Sequence, residues 1–476
     1  MTIDRMSSMD AGFLDVESDV TQMHIGSVLI LEGPPPPLAR FRDMVAGKLP
    51  LVMRYRQVVR PVALELGRPV WVDDRNFDLD YHVRWARVPE PSDRNDLRDL
   101  VGHLMSCRLN RSRPLWELWM IEGLKDDRWA VVAKVHHCMV DGVGGAELLS
   151  LILDVTADAW PSPPEPWRPG PMPSGRDLLV RSVTEASSNS RDAVRALRST
   201  VGRMASVSQV RGLARSVSSA ARVIRPMPPS SLNGPIGSSR RWAATSVPVA
   251  DIKAVRSSLG GAFNDVALAA VAGGFRGLLE KRGEPVDRPI RALVPVSVRA
   301  RDTAGRAVGD GALANKVSAV FAELPIGLAD PVKRLAAISA EMTSAKETNE
   351  AQAGESFTSL LRYFPPVLLA LGAQLFSKAS QRNVNTVTTN IPGPQFPLYA
   401  AGRRMIRAYP YVPIGMQIRI GVAMLSYDGE VNFGITGDFD HAPDVEVLAE
   451  GIKIGMDELL TAAGTTSSNF PCLSLV

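Results

Sequence analysis

His136, His137, Cys138, Asp141 and Gly142 stand within seven residues, in KVHHCMVDGVGG, and form the densest group of chemistry-bearing side chains in the sequence. Imidazole titrates near neutrality, so it can take a proton from a hydroxyl as that oxygen attacks a carbonyl carbon. Transfer of an acyl group from a thioester to an alcohol needs such a base. The preceding WAVVAKV reads as an apolar strand, along which successive side chains point to opposite faces. His136 and His137 therefore cannot both enter one cavity if the strand persists to its end. His137, nearer the loop, is the expected general base and His136 its support. Asp141 falls at the turn into a helical pattern, where its carboxylate caps the helix or pairs with an arginine. An ion pair that fixes the loop is the favoured role, with Arg299 of VPVSVR as a candidate partner. Gly142, with Gly144 and Gly145, permits the tight turn.

Other chemistry was weighed at the same residues. Metal binding by His136, His137 and Asp141 lacks the HExxH spacing, and adjacent strand residues chelate poorly, so no metal site is expected. Cys138 as a nucleophile would imply an acyl-enzyme; packing of a small thiol is the simpler role, and direct transfer is expected. His24, His82, His103 and His441 stand alone and read as structural. Cys107, Cys138 and Cys472 are odd in number and far apart, as in a cytosolic protein with reduced thiols.

The elements that must hold this motif fall into two stretches of mixed α/β pattern. The first, 1–159, contains HIGSVLILEG, a helical stretch from Asp93 to Leu109, and WELWMIEGL followed by RWAVVAKVHH. A linker and arm, 160–235, begins with WPSPPEPWRPGPMP, whose prolines favour extended chain. Between Arg176 and Arg225 it carries ten arginines against Asp177, Glu185 and Asp192, with apolar residues at helical spacing. That arm is either a membrane-docking helix or a connector with solvated arginines. The second α/β stretch, 236–464, contains RWAATSVPV, NDVALAAVAGGFRGLLEKRG, RALVPVSV, NTVTTNIPGP and VNFGITGDFD, and 465–476 reads as a tail. No sequence repeat relates the two stretches.

Composition excludes several classes. A hydrophobic fraction of 45% and a charged fraction of 22% in 476 residues describe a globular chain able to bury two cores. A net charge of +4 is too weak to imply nucleic acid, and no zinc-finger or RNA-binding signature accompanies it. The acidic N-terminal stretch is unlike an export signal. The longest apolar run, Pro365 to Phe376, is well short of the roughly 20 residues of a spanning helix.

At HHCMVDG the sequence resembles the coenzyme A dependent acyltransferases that include chloramphenicol acetyltransferase and peptide synthetase condensation domains. More closely it is similar to the bacterial wax ester synthase/diacylglycerol acyltransferase family, particularly the actinobacterial triacylglycerol synthases. MDAGFL, RPLWELWMIEGL, KVHHCMVDG, SLNGPIG, NDVALAAV, VPVSVR, TNIPGP and MLSYDGEVNFGITGD carry the likeness, in that order. The resemblance implies two chloramphenicol-acetyltransferase-like domains, each a mixed sheet flanked by helices, with a channel between them leading to His137. It implies the second histidine as base and the aspartate as structural, and carries over His136, His137, Asp141 and Gly142. It assigns Pro114, Leu115 and Trp116 of the PLW motif, and Asn264 and Asp265 of the ND motif, to the substrate channel. Asn264 or Asp265 as a helix N-cap, and PLW as an apolar wall, are the alternatives.

The expected activity is transfer from long-chain acyl-CoA, a co-substrate, to diacylglycerol, with no permanently bound cofactor. A long-chain alcohol acceptor, giving a wax ester, is the alternative, and a non-catalytic lipid-binding homologue a third reading. The expected location is cytoplasmic, peripherally attached to a membrane or lipid-droplet surface, without nucleic acid.

Overall fold

β7 (Arg128–His136) lies inside a sheet buried on both faces, which is why its sequence is apolar almost throughout. Trp129, Val131, Ala133 and Val135 face one core. Ala130 and Val132 face another. β2 (His24–Glu32), paired antiparallel to β7, divides Leu29 and Leu31 from Val28 and Ile30 in the same way.

The structure, a computed structural model, describes residues 4–63, 67–89, 94–140, 145–159, 167–178, 180, 227–298, 316–353, 383–415 and 417–466. Asp141, Gly142 and Arg299, the apolar run 365–376 and nearly all of the arginine-rich arm lie outside these residues.

The first sheet has the order β12-β13-β2-β7-β6-β5, where β5 is Val83–Arg87, β6 Trp116–Leu124, β12 Tyr399–Ala400 and β13 Arg403–Tyr411. β5 and β6 are parallel, and the other neighbours antiparallel. One face carries α1 (Ser8–Val16) and α2 (Leu38–Lys48). The other meets α4 (Arg94–Ser106). Beside this sheet β1 (Asp4–Arg5), β4 (Val70–Asp73) and β3 (Gln57–Arg60) form a small antiparallel one. α3 (Leu79–His82) leads into β5, and α5 (Gly145–Ser150) follows the histidine turn.

The second sheet has the order β10-β9-β11-β14-β15-β8: β8 is Arg240–Pro248, β9 Ile290–Val298, β10 Lys316–Leu324, β11 Thr386–Ile391, β14 Ile420–Tyr427 and β15 Glu430–Asp438. It too is mixed, with β11 parallel to both β9 and β14. α6 (Val249–Leu259), α7 (Phe263–Lys281), α8 (Pro331–Ala353) and α9 (Val445–Ala462) pack on its face around a core of their own. The β14–β15 hairpin turns through Asp428 and Gly429, at φ 43° and 86°, the left-handed pair that an Asp-Gly dipeptide serves.

Two mixed sheets flanked by helices are the expected fold class. The division expected between 1–159 and 236–464 does not separate the sheets, however. β12 and β13 come from the second stretch, yet pair in the first sheet, where β13 covers the edge of β2. Trp242 and Ala244 of β8 pack with Leu97 and Val101 of α4 and with Tyr409 and Tyr411 of β13 in a core at the seam. Gly434 of β15 sits against the Pro410 carbonyl, where a Cβ would collide. Among the described residues no single helix is long and apolar enough to cross a membrane; the apolar pair α6–α7 is bent by 102° and α7 is largely core.

Candidate active site

β7 ends at His136, and His137 opens a short 3₁₀ turn, His137–Met139. The two imidazoles are thus separated by a change from strand to turn rather than by alternation along one strand. His136 is wholly buried and sits opposite His24 across the β2–β7 ladder. Its Nδ1 accepts the Cys138 N–H at 3.1 Å, capping the turn that begins at His137.

His137 is half-buried. Its backbone N–H donates to the Met23 carbonyl at 2.8 Å, tying the turn to the loop before β2. Its ring lies on that of Phe13 from α1, centroids 4.0 Å apart and planes at 25°. Nδ1 is buried and makes no hydrogen bond to another described residue. Burial holds the imidazole below its ordinary value of 6.5. His137 is thus neutral at physiological pH, the form a proton acceptor must have.

Glu17, just beyond α1, closes the cluster. Its side chain is 1% exposed. Its Oε2 accepts from Arg111 Nε at 2.9 Å and Nη2 at 2.7 Å, and from Arg108 Nη2 at 3.1 Å. Its Oε1 faces His136 Nε2 at 3.5 Å. Burial alone would raise this carboxyl, but His136, Arg111 and Arg108 together hold it well below the usual range, so Glu17 is ionised. Beneath the pair, Lys134 is fully buried and donates to the carbonyls of Leu104 and Cys107. His24, also fully buried, contacts the Met105 carbonyl at 2.8 Å, and burial with the Lys134 charge holds it far below its ordinary value.

Cys138 is 2% exposed, and burial pushes its thiol well up, so no thiolate is present at neutral pH. Among the described residues no group of three or more His, Cys, Asp or Glu side chains could hold a metal ion.

Pro114, Leu115 and Trp116 lie at the head of β6, all buried. The Leu115 carbonyl accepts the His136 N–H at 2.9 Å, and Trp116 Nε1 donates to the Tyr55 carbonyl at 2.8 Å. His82 stacks on Trp116, centroids 4.5 Å apart. Leu115 and Trp116 are fully enclosed in the first core, next to the strand end that carries His136.

The alternative in which Asn264 or Asp265 is the N-cap of α7 does not hold: the N-cap is Ala262. Asp265 stands at the third helical position and its Oδ2 accepts the Ala262 N–H at 2.9 Å, satisfying the helix start from inside the first turn. Asn264 Oδ1 accepts from Asn390 Nδ2 at 2.9 Å, joining α7 to β11 within the second half. Neither makes a described contact with the histidine turn. Phe13 and Glu17, which do, were not among the expected site residues; the MDAGFL segment was the signal that pointed to their helix.

The histidine turn lies where the halves meet. Gln22 Nε2 donates to the Ser106 carbonyl at 3.3 Å and to the Ser238 carbonyl at 2.8 Å, and Arg240 donates to the Val20 carbonyl. An exchanged strand, two mixed sheets and a paired-histidine turn at their seam make up a fold that the chain shares with condensation domains. The first condensation domain of the calcium-dependent antibiotic synthetase shares this fold at a TM-score of 0.57 and 15% identity, over 98% of this chain and 99% of that one.

Residues 6–267 match the wax ester synthase/diacylglycerol acyltransferase catalytic domain and residues 313–460 the WS/DGAT C-terminal domain. A Mycobacterium tuberculosis (strain H37Rv) protein described as a probable diacylglycerol O-acyltransferase is 36% identical over 468 residues, 96% of each chain. The wax ester synthase/diacylglycerol acyltransferase from Marinobacter aquaeolei VT8 superposes with a TM-score of 0.69 at 25% identity, over 97% of this chain and all of that one. The chain belongs to the wax ester synthase/diacylglycerol acyltransferase family and is an acyltransferase.

Proposed function

We propose that this enzyme makes triacylglycerol by moving a long-chain acyl group from coenzyme A to the free hydroxyl of 1,2-diacylglycerol, with His137 as general base. The observation that carries this reading is the neutral, half-buried His137 at the seam, backed by Phe13 and next to a thiol too buried to act as nucleophile. The acceptor oxygen attacks the thioester carbonyl as His137 Nε2 takes the hydroxyl proton. The tetrahedral adduct then expels the coenzyme A sulfur, which takes the acceptor's proton from His137, leaving ester and free thiol. Asp141 and Gly142 are assigned the orientation of the following loop. Asn264 and Asp265 are assigned the shaping of the acyl or acceptor passage, and Pro114, Leu115 and Trp116 its supporting wall. No permanent cofactor is required. The charge of the arm between Arg176 and Arg225 supports peripheral docking of a cytoplasmic enzyme on an anionic lipid surface, where its acceptor resides.

The test is thiol release from palmitoyl-CoA by the purified chain, with dioleoylglycerol or hexadecanol as acceptor and product identification. His137→Ala should lower turnover by about a hundred- to ten-thousand-fold while retaining the fold. Near-normal turnover in folded His137→Ala would overturn the base assignment, and product from hexadecanol alone the acceptor assignment.

A further inference from the structure

We infer that Glu17 is a positioning residue that sets the tautomer of His136 and, through it, the turn that carries His137. This rests on the reading of His137 as the base. Because His136 Nδ1 accepts the Cys138 N–H, it carries no proton, and in the neutral ring the proton is on Nε2. Nε2 faces Glu17 Oε1 at 3.5 Å, and neither atom has another hydrogen-bond partner among the described residues. Two buried polar atoms left over by everything else around them, a donor and a charged acceptor, are thus each other's partners.

The arginines complete the device. Arg111 and Arg108 both take Oε2, so the carboxylate is anchored by one oxygen and presents the other inward. Arg111 Nη2 also donates to the Leu14 carbonyl at 2.7 Å, fixing the end of α1 on which Phe13 stands. One carboxylate therefore orients the strand end below His137 and steadies the helix above it. Without that charge, His136 is free to move its proton to Nδ1, which turns the acceptor for Cys138 N–H into a donor and uncaps the turn.

The readouts are kinetic and spectroscopic. Glu17→Gln should lower kcat about ten- to a hundredfold with KM for palmitoyl-CoA within twofold, since displacement of a base by a fraction of an ångström falls on the chemical step. His136→Ala should cost a similar factor. The double variant should be no worse than the poorer single one, because both changes break one chain of contacts. Selective ¹⁵N-histidine labelling gives signals from only six residues. Wild-type His136 should show the Nε2–H pattern, with Nδ1–H signal appearing in Glu17→Gln. A wild-type His136 protonated on Nδ1 overturns the proposal without any variant, so a Glu17→Gln chain that fails to fold does not rescue it. Unchanged kcat in folded Glu17→Gln, or losses that multiply in the double variant, also overturn it. Loss of turnover in His137→Ala alongside an unaffected Glu17→Gln sinks this inference alone; turnover surviving His137→Ala sinks the base assignment instead.

Discussion

Phe13→Ala removes the face on which His137 rests and so tests whether burial and stacking tune this imidazole as the base proposed for it. Phe13 is half-buried, so truncation should cost about 2 kcal/mol of stability, below the ~3–5 kcal/mol of a fully enclosed phenylalanine. A stacked ring pair is worth about 1 kcal/mol beyond its buried area, so loss of orientation alone accounts for about a fivefold drop in turnover. Water entering the space adds a second effect. His137 is held below 6.5 mainly by burial, so it remains an unprotonated base to a lower pH than a solvated imidazole would. Activity should therefore decline as pH falls through that depressed value, and Phe13→Ala should move the acid limb upward, toward 6.5. The assay is kcat/KM for palmitoyl-CoA between pH 5 and 8.5 by thiol release, at fixed acceptor, with Phe13→Leu restoring most of the apolar cover. An acid limb at the same pH in wild type and folded Phe13→Ala, with kcat within twofold, would refute the account of how the base is tuned.

Cys138→Ala should keep turnover within about twofold and lose about 1 kcal/mol of stability, since it removes a small packed group and no nucleophile. An acyl group trapped on Cys138, together with an inactive alanine variant, would reverse this. His82 supplies a pH dependence of stability: burial lowers it from 6.5 to about 4, so the unfolded chain binds its proton first and stability falls as pH drops through that window. At pH 5 the loss from this one group is about 2 kcal/mol relative to pH 7. His82→Phe, which keeps the stack on Trp116, should flatten the fall in denaturation midpoint between those two pH values by that amount. An identical slope in wild type and variant would contradict the assignment.

What the sequence discloses and what it hides have separate physical causes. The runs VLIL and WAVVA mark strands covered on both faces, and Asp428-Gly429 marks a two-residue hairpin, because these patterns are local. The histidine motif is local as well, and its place at a strand end follows from a mostly apolar run, WAVVAKV, meeting a glycine-rich turn. Glu17 is not legible, because an acidic residue after an amphipathic helix looks solvated until Arg108, Arg111 and His136 are brought round it by tertiary packing. The start of α7 misleads for a different reason. Asn and Asp are the usual caps, but here the aspartate reaches back from the third position and leaves Ala262 at the boundary. That Arg403–Tyr411 belongs to the first sheet is equally invisible, since strand pattern says nothing about which edge a strand will join.

That exchanged strand has a consequence during synthesis. Until Tyr411 has left the ribosome, the β2 edge of the first sheet stays open, with unpaired N–H and C=O groups beside Val28 and Ile30. The histidine motif at residues 136–142 is made early, in a half whose sheet lacks one of its strands. Nascent chains on one polysome each display the same open edge, the condition under which neighbouring copies pair with one another. For most of the time the chain is being made β2 therefore lacks the neighbour that the second half finally delivers as β13.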